Sequence, residues 1–156
     1  MKNAHKLHWS ILREYDIRGV IGETLTMDDA YAIGRAFGTM VSRNLGKTVT
    51  VGYDGRISSP EVESSLTQGL VDSGIAAIRI SLGPTPMVYF ASKILNTDGA
   101  IMITGSHNPA NYNGFKMVMD NKPFYGKDIQ KLGKIAATGD YECGKGFTVY
   151  SSVIEE

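Results

Sequence analysis

The chain has 156 residues, of which 42% are hydrophobic and 21% charged. That is enough for one domain with a proper core, and the balance excludes a largely disordered chain. Lys plus Arg and Asp plus Glu number 16 each, so the zero net charge gives no reason to expect a nucleic-acid or membrane partner. The single cysteine, Cys143, excludes an internal disulfide and has no Cys or His at ligand spacing. The first residues lack the apolar core of a signal peptide, and no window approaches the roughly 18 apolar residues of a membrane span. A cytoplasmic location is the expectation.

Residues 1–9 read as a loose lead-in, with His5 and His8 solvated in it. Residues 11–22 read as a short strand feeding an irregular loop. A helix is predicted from Thr26, which caps it, with Asp28 and Asp29 at the positive end of its dipole. Its buried stripe is Ala30, Ile33, Phe37, Met40, Val41 and Leu45, and Gly46 ends it. A strand follows over 47–54. A second helix over 58–74 has Ser59 as cap, Pro60 in the first turn, Val62, Leu66, Leu70 and Val71 inward, and Gly74 as stop. Residues 75–80 are an apolar strand interrupted only by Arg79. A loop and third helix occupy 83–99, and 100–104 is the next buried strand. Residues 114–119, a turn at 120–124 and a fourth helix over 127–138 complete the run. The end, from about 147 to 156, is a last strand or an exit linker.

Strands alternating with helical segments predict an α/β fold, a three-layer α/β/α sandwich on a mostly parallel mixed sheet, forming one domain over 1–156. Ligands in such sheets bind at the carboxyl ends of the strands. Three polar, glycine-bearing loops begin there: "GYDGRISS" (52–59), "LGPTP" (82–86) and "TGSHNP" (104–109). They are expected to share one rim.

The third loop opens "TGSHNPANYNGFK", Thr104 to Lys116. Ser106 beside His107 suggests a hydrolase, but neighbours in an extended segment point to opposite sides, and Asn108 stands where a nucleophile elbow needs glycine. Residues 139–146 have the G-x-x-x-x-G-K spacing of a P-loop but end in Gly146 instead of Ser or Thr. Position 41, Val, denies the "GKT" at 46–48 its upstream glycine. What remains is a serine that receives and donates a phosphoryl group. Gly105 lets a bulky dianion approach the backbone, and Pro109 restricts Asn108. A phosphoserine at Ser106 would need cations, and Arg18, Arg56, Lys116 and a divalent metal are the candidates. The residues alone leave this reading level with that of a solvated polar turn.

The stretch resembles the active-serine loop of the α-D-phosphohexomutases, in the bacterial phosphomannomutase/phosphoglucomutase branch. "REYDIRG" (13–19), "VGYDGRISSP" (51–60) and "GPTPMVYFA" (83–91) agree with the family in order and spacing. The similarity covers nearly the whole chain and corresponds to the family's first domain. It implies that Ser106 is the phosphorylated serine, whose phosphoryl oxygen is one ligand of Mg²⁺. His107 and Lys116 would assist proton transfer. Tyr15 would line the substrate cleft, Arg18 would contact the phosphoserine, and Asn108 would help hold the loop. Arg56 would bind phosphate, although the family's Arg-Asp-x-Arg reads Tyr53-Asp54-Gly55-Arg56 here.

The activity so implied is the interconversion of hexose 1-phosphate and hexose 6-phosphate of glucose or mannose, with hexose 1,6-bisphosphate as activator. The family's Asp-Gly-Asp-x-Asp metal loop, sugar-reading loop and phosphate clamp, from domains II–IV, are absent from this sequence. The chain alone is therefore expected to hold the serine without completing the cycle. The alternative is a binding or assembly module, or a passive phosphoacceptor, acting in trans on the missing domains.

Overall fold

Strand β4, Gly99–Ile103, is buried at every residue, and the sheet is built outward from it. The computed structural model describes residues 4–152; residues 1–3 of the lead-in and 153–156 of the exit segment lie outside the described residues. In chain order the elements are a 3₁₀ turn at Trp9–Ile11, β1 (Ile17–Val20), α1 (Met27–Arg43), β2 (Thr48–Tyr53), α2 (Ser59–Asp72), β3 (Ala76–Leu82), α3 (Thr85–Leu95), β4, β5 (Tyr112–Met119), β6 (Lys122–Pro123), α4 (Lys127–Thr138) and β7 (Phe147–Tyr150). The sheet order is β1-β5-β4-β2-β3-β7, with β6 on β5. The pairs β2–β3, β2–β4 and β3–β7 are parallel. Strand β5 is antiparallel to β1, β4 and β6, so it alone opposes the others. The mixed, mostly parallel sheet expected from the sequence is present.

The two faces of the sheet are covered unequally. Helix α1 packs between α2 and α4 on one face, and α3 lies over β2 and β4 on the other. Alternate residues of a strand face opposite ways. Ile101, Ile103, Phe115 and Met117 therefore enter the large core with α1, α2 and α4. Ala100 and Met102 enter a small second core with Val88 and Ala91 of α3 and Ile80. A single helix cannot span the sheet, and the β5–β1 half of its face is left open.

Helix α1 begins with a capping box: Thr26 accepts from the Asp29 amide, and Asp29 accepts from the Thr26 amide. The predicted end is corrected. The helix stops at Arg43, Leu45 takes a left-handed φ of 65°, and its side chain is 91% exposed. Leu45 lies past the end of the helix and is not core. Ser58, not Ser59, occupies the position before α2, because the Ser59 hydroxyl donates to Asp54. Arg79, the charge inside β3, pairs with the buried Glu63 and lies over the Tyr150 ring.

The lead-in is attached from His5 onward. The His5 amide donates to the Ala136 carbonyl, its ring meets Asp29 at 2.6 Å, and Leu7 is buried. His8 is exposed, as expected, and its Nδ1 accepts from the Ser10 amide. At the other end the 139–146 segment is strapped down by Arg35, which donates to the Glu142 carbonyl and the Cys143 sulfur and lies over Tyr141. No helix among the described residues is long and apolar enough to cross a membrane.

Helices α1 and α2 touch through Gly34 and Gly69. A Cβ on Gly34 would lie 2.2 Å from the Leu66 carbonyl oxygen. Helix propensity favours alanine there by about 1 kcal/mol, but a backbone atom cannot swing aside. Gly34→Ala is expected to destabilise the domain by about 1–3 kcal/mol, read as a fall in the urea midpoint. A rise would show that propensity outweighs the helix contact.

Candidate active site

The loops after β2, β3 and β4 share one rim, since these strands are adjacent and parallel. Backbone hydrogen bonds join them: the Gly83 amide donates to Tyr53, and the Asp54 amide to Ile103. Ser106 sits on this rim with a left-handed φ of 53°. Its amide donates to the Thr104 hydroxyl, and its carbonyl accepts from Arg56. The Ser106 hydroxyl makes no hydrogen bond among the described residues, and the residue is half-buried. An unengaged hydroxyl on a restrained backbone is free to react.

Arg18 and Lys116 reach the same side of the sheet. Arg18 lies opposite Gly114, and Lys116 lies opposite Met102 of the α3-side core. Residues 114, 116 and 118 of β5 share a face, so both cations stand on the half that α3 leaves open. A cleft of about 820 Å³ occupies that half, bounded by Tyr15, Arg18, Tyr89, Lys93, Lys116 and Tyr125. Its volume is that of a small-molecule site. Tyr15 is 75% exposed and stacks on Tyr125 with centroids 5.9 Å apart. Arg18 pairs with the buried Asp16 at 3.0 Å and donates to the Asn108 side chain at 3.4 Å, while its buried Nε has no hydrogen-bond partner among the described residues. The Asn108 contact links the cleft to the serine loop.

The structure sorts the remaining candidates. His107 is exposed beside Ser106. The Asn108 side chain donates to the Gly105 carbonyl at 2.9 Å, holding the loop. Arg56 is placed differently from the sequence expectation. Its terminal nitrogens donate to the carbonyls of Ser106, Asn108, Pro109 and Tyr112, and its Nε faces Asp54 at 3.4 Å. Four of the five N–H donors of the guanidinium are thus given to backbone carbonyls, and the fifth faces Asp54. Gly105 bears on this as well: a Cβ there would lie 2.1 Å from the Arg56 guanidinium. The glycine makes room for an arginine.

In the sequence Ser59 reads only as a helix cap, and Asp54 and Asn113 have no place in the site. Asp54 accepts from the Ser59 hydroxyl at 2.6 Å and from the amides of Arg56 and Gly105. Burial alone would raise its carboxyl pKa, but these hydrogen bonds, led by that from Ser59, outweigh burial and hold it below the usual carboxylate value. Asn113, fully buried, donates to Ser58 and Ser59. The signal was available in "YDGRISS" and "YNGF", where small polar residues flank the strand ends.

Mg²⁺ was expected to use the Ser106 phosphoryl group. Among the described residues no group of three or more His, Cys, Asp or Glu could hold a metal ion, and the Asp54 oxygens are occupied. The residues present do not by themselves fit a Mg²⁺ site.

Residues 10–142 match the family model described as phosphoglucomutase/phosphomannomutase, alpha/beta/alpha domain I. The chain is 44% identical over 143 residues to the phosphomannomutase/phosphoglucomutase of Pseudomonas aeruginosa, covering 92% of this chain and 31% of that protein. It is 44% identical over 122 residues to a phosphoglucomutase of Neisseria gonorrhoeae, covering 78% of this chain and 26% of the other. A solved phosphoglucomutase/phosphomannomutase family protein of Burkholderia thailandensis superposes with a TM-score of 0.91 at 41% identity, over 96% of this chain and 34% of that one. A phosphomannomutase structure from Thermus thermophilus, at 23% identity and a TM-score of 0.80, shares the fold. The chain thus spans 31% and 26% of the lengths of these two curated relatives. It belongs to the phosphoglucomutase/phosphomannomutase family and corresponds to that family's α/β/α domain I.

Proposed function

We propose that this chain is the phosphoserine-carrying first domain of a hexose phosphate mutase, acting in the cytoplasm on glucose or mannose phosphates. The observation that carries the reading is the Ser106 hydroxyl, unengaged on a restrained loop and joined through Asn108 and Arg18 to a cationic cleft. The phosphoryl group passes from Ser106 Oγ to a free hydroxyl of hexose 1-phosphate. As the new P–O bond forms and the Ser106 Oγ–P bond breaks, the proton of the attacking hydroxyl passes, with the assistance of His107 and Lys116, to the departing Ser106 Oγ. The resulting bisphosphate turns over in the cleft. Ser106 then takes the other phosphoryl group and hexose 6-phosphate is left. The chain's own contribution is positioning and charge neutralisation.

Hexose 1,6-bisphosphate recharges Ser106 when the bisphosphate escapes. The metal ligands, the sugar contacts and the second phosphate clamp belong to domains II–IV, and no step here is routed through Mg²⁺. Phe90 and Ile94 of α3, 53% and 49% exposed, support docking of those domains on this face.

Intact mass before and after incubation with glucose 1,6-bisphosphate and Mg²⁺, in the presence of domains II–IV from a relative, tests the reading. A gain of one phosphoryl group is expected, with no glucose 1-phosphate turnover by the 156-residue chain alone. Turnover by the chain alone contradicts its incompleteness, and no mass gain contradicts the carrier role.

A further inference from the structure

The serine loop is held from behind by one side chain. Arg56 reaches four carbonyls of the 106–112 segment: Ser106 at 3.1 Å, Asn108 at 2.7 Å, Pro109 at 2.5 Å and Tyr112 at 3.2 Å. These carbonyls lie along the path from the reactive residue to the start of β5. Asp54 faces the Arg56 Nε and also accepts from the Gly105 amide at 3.1 Å. Ser59 donates to Asp54 at 2.6 Å, and Asn113 donates to Ser59 at 3.0 Å, so the carboxylate is itself held. Gly105 leaves space for the guanidinium, which lies where a Cβ would stand. The carboxylate thus fixes the residue before Ser106, and the guanidinium fixes Ser106 and the residues after it.

We propose that Arg56, oriented by Asp54, is a positioning residue that locks the Ser106 loop in its reactive conformation, and not a phosphate ligand. The proposal rests on Ser106 being the phosphoryl carrier. Ser106 at a φ of 53° is in a conformation that residues with a side chain rarely adopt, and such residues persist only where the surroundings over-determine them. Four carbonyls converging on one planar fork supply that over-determination. An ammonium has one centre and three donors, so lysine keeps the charge and loses the fork. Geometry and charge can therefore be tested apart.

The experiment compares wild type, Arg56→Ala and Arg56→Lys in this chain. Amide hydrogen exchange at Gly105, Ser106 and Asn108 is followed by NMR, alongside phosphoryl capture from glucose 1,6-bisphosphate with Mg²⁺ and domains II–IV from a relative. Both variants are expected to exchange these amides at least tenfold faster, with exchange in the α1 core unchanged, and to capture phosphoryl at least tenfold more slowly. Wild-type exchange in Arg56→Lys overturns the clamp, as does wild-type capture. If Arg56→Ala fails to fold, Arg56→Lys decides alone. If wild type captures no phosphoryl group, the carrier reading has failed, and exchange in Arg56→Lys alone decides whether the clamp exists.

Discussion

Ser106→Ala is expected to abolish phosphoryl capture while leaving the fold intact. The hydroxyl makes no hydrogen bond among the described residues, so its loss leaves no buried partner unsatisfied. The backbone groups that hold the loop stay: the amide on Thr104 and the carbonyl under Arg56. The stability change should stay within about 0.5 kcal/mol, as for substitutions that break no packing or hydrogen bond. The chemical effect should be a complete loss, because alanine removes the oxygen nucleophile itself. Intact mass after incubation with glucose 1,6-bisphosphate, Mg²⁺ and domains II–IV, paired with thermal melting, separates the two. Undiminished capture by the alanine variant would move the carrier to another residue.

Phe37→Ala should be the most damaging core substitution, costing about 3–5 kcal/mol. Phe37 is fully buried in α1. Its ring meets Phe124 edge-on at 5.3 Å and packs against Gly99, where an added Cβ would stand 3.0 Å from Cε1. It thus joins the helix layer, the first residue of β4 and the Phe124 wall beside the cleft. A domain of this kind has about 5–15 kcal/mol in all, so most of the margin goes. The urea midpoint should fall by roughly 2 M. A loss below about 1 kcal/mol would mean that the surrounding side chains collapse into the space.

The layer order of the fold was legible because alternating apolar strands and amphipathic helices are local patterns. The ends were not. Leu45 continues the α1 stripe by spacing, yet the chain turns left-handed at Leu45 itself, beyond the helix end, and leaves it exposed. Ser59 has the chemistry of a cap, yet Asp54 holds its hydroxyl. His5 and Leu7 carry no periodic signal, since the lead-in is held by Asp29 of α1 and Ala136 of α4. At the candidate site, the motifs pointed to Ser106, Arg18 and Lys116, and the fold brings Arg18 and Lys116 to one cleft. The cleft arises from strand parity and from the width of the sheet that one helix leaves bare. The contacts of Arg56 were not legible, because an arginine in a polar loop looks the same whether it faces an anion or a ring of carbonyls. Only the fold brings the four carbonyls to it.

The most direct test is to locate the phosphoryl group by tandem mass spectrometry after charging with glucose 1,6-bisphosphate, Mg²⁺ and domains II–IV, then to add glucose 1-phosphate. The account predicts one group, on Ser106, that leaves for the sugar. A group on any other residue, or one on Ser106 that the sugar phosphate cannot remove, would contradict it.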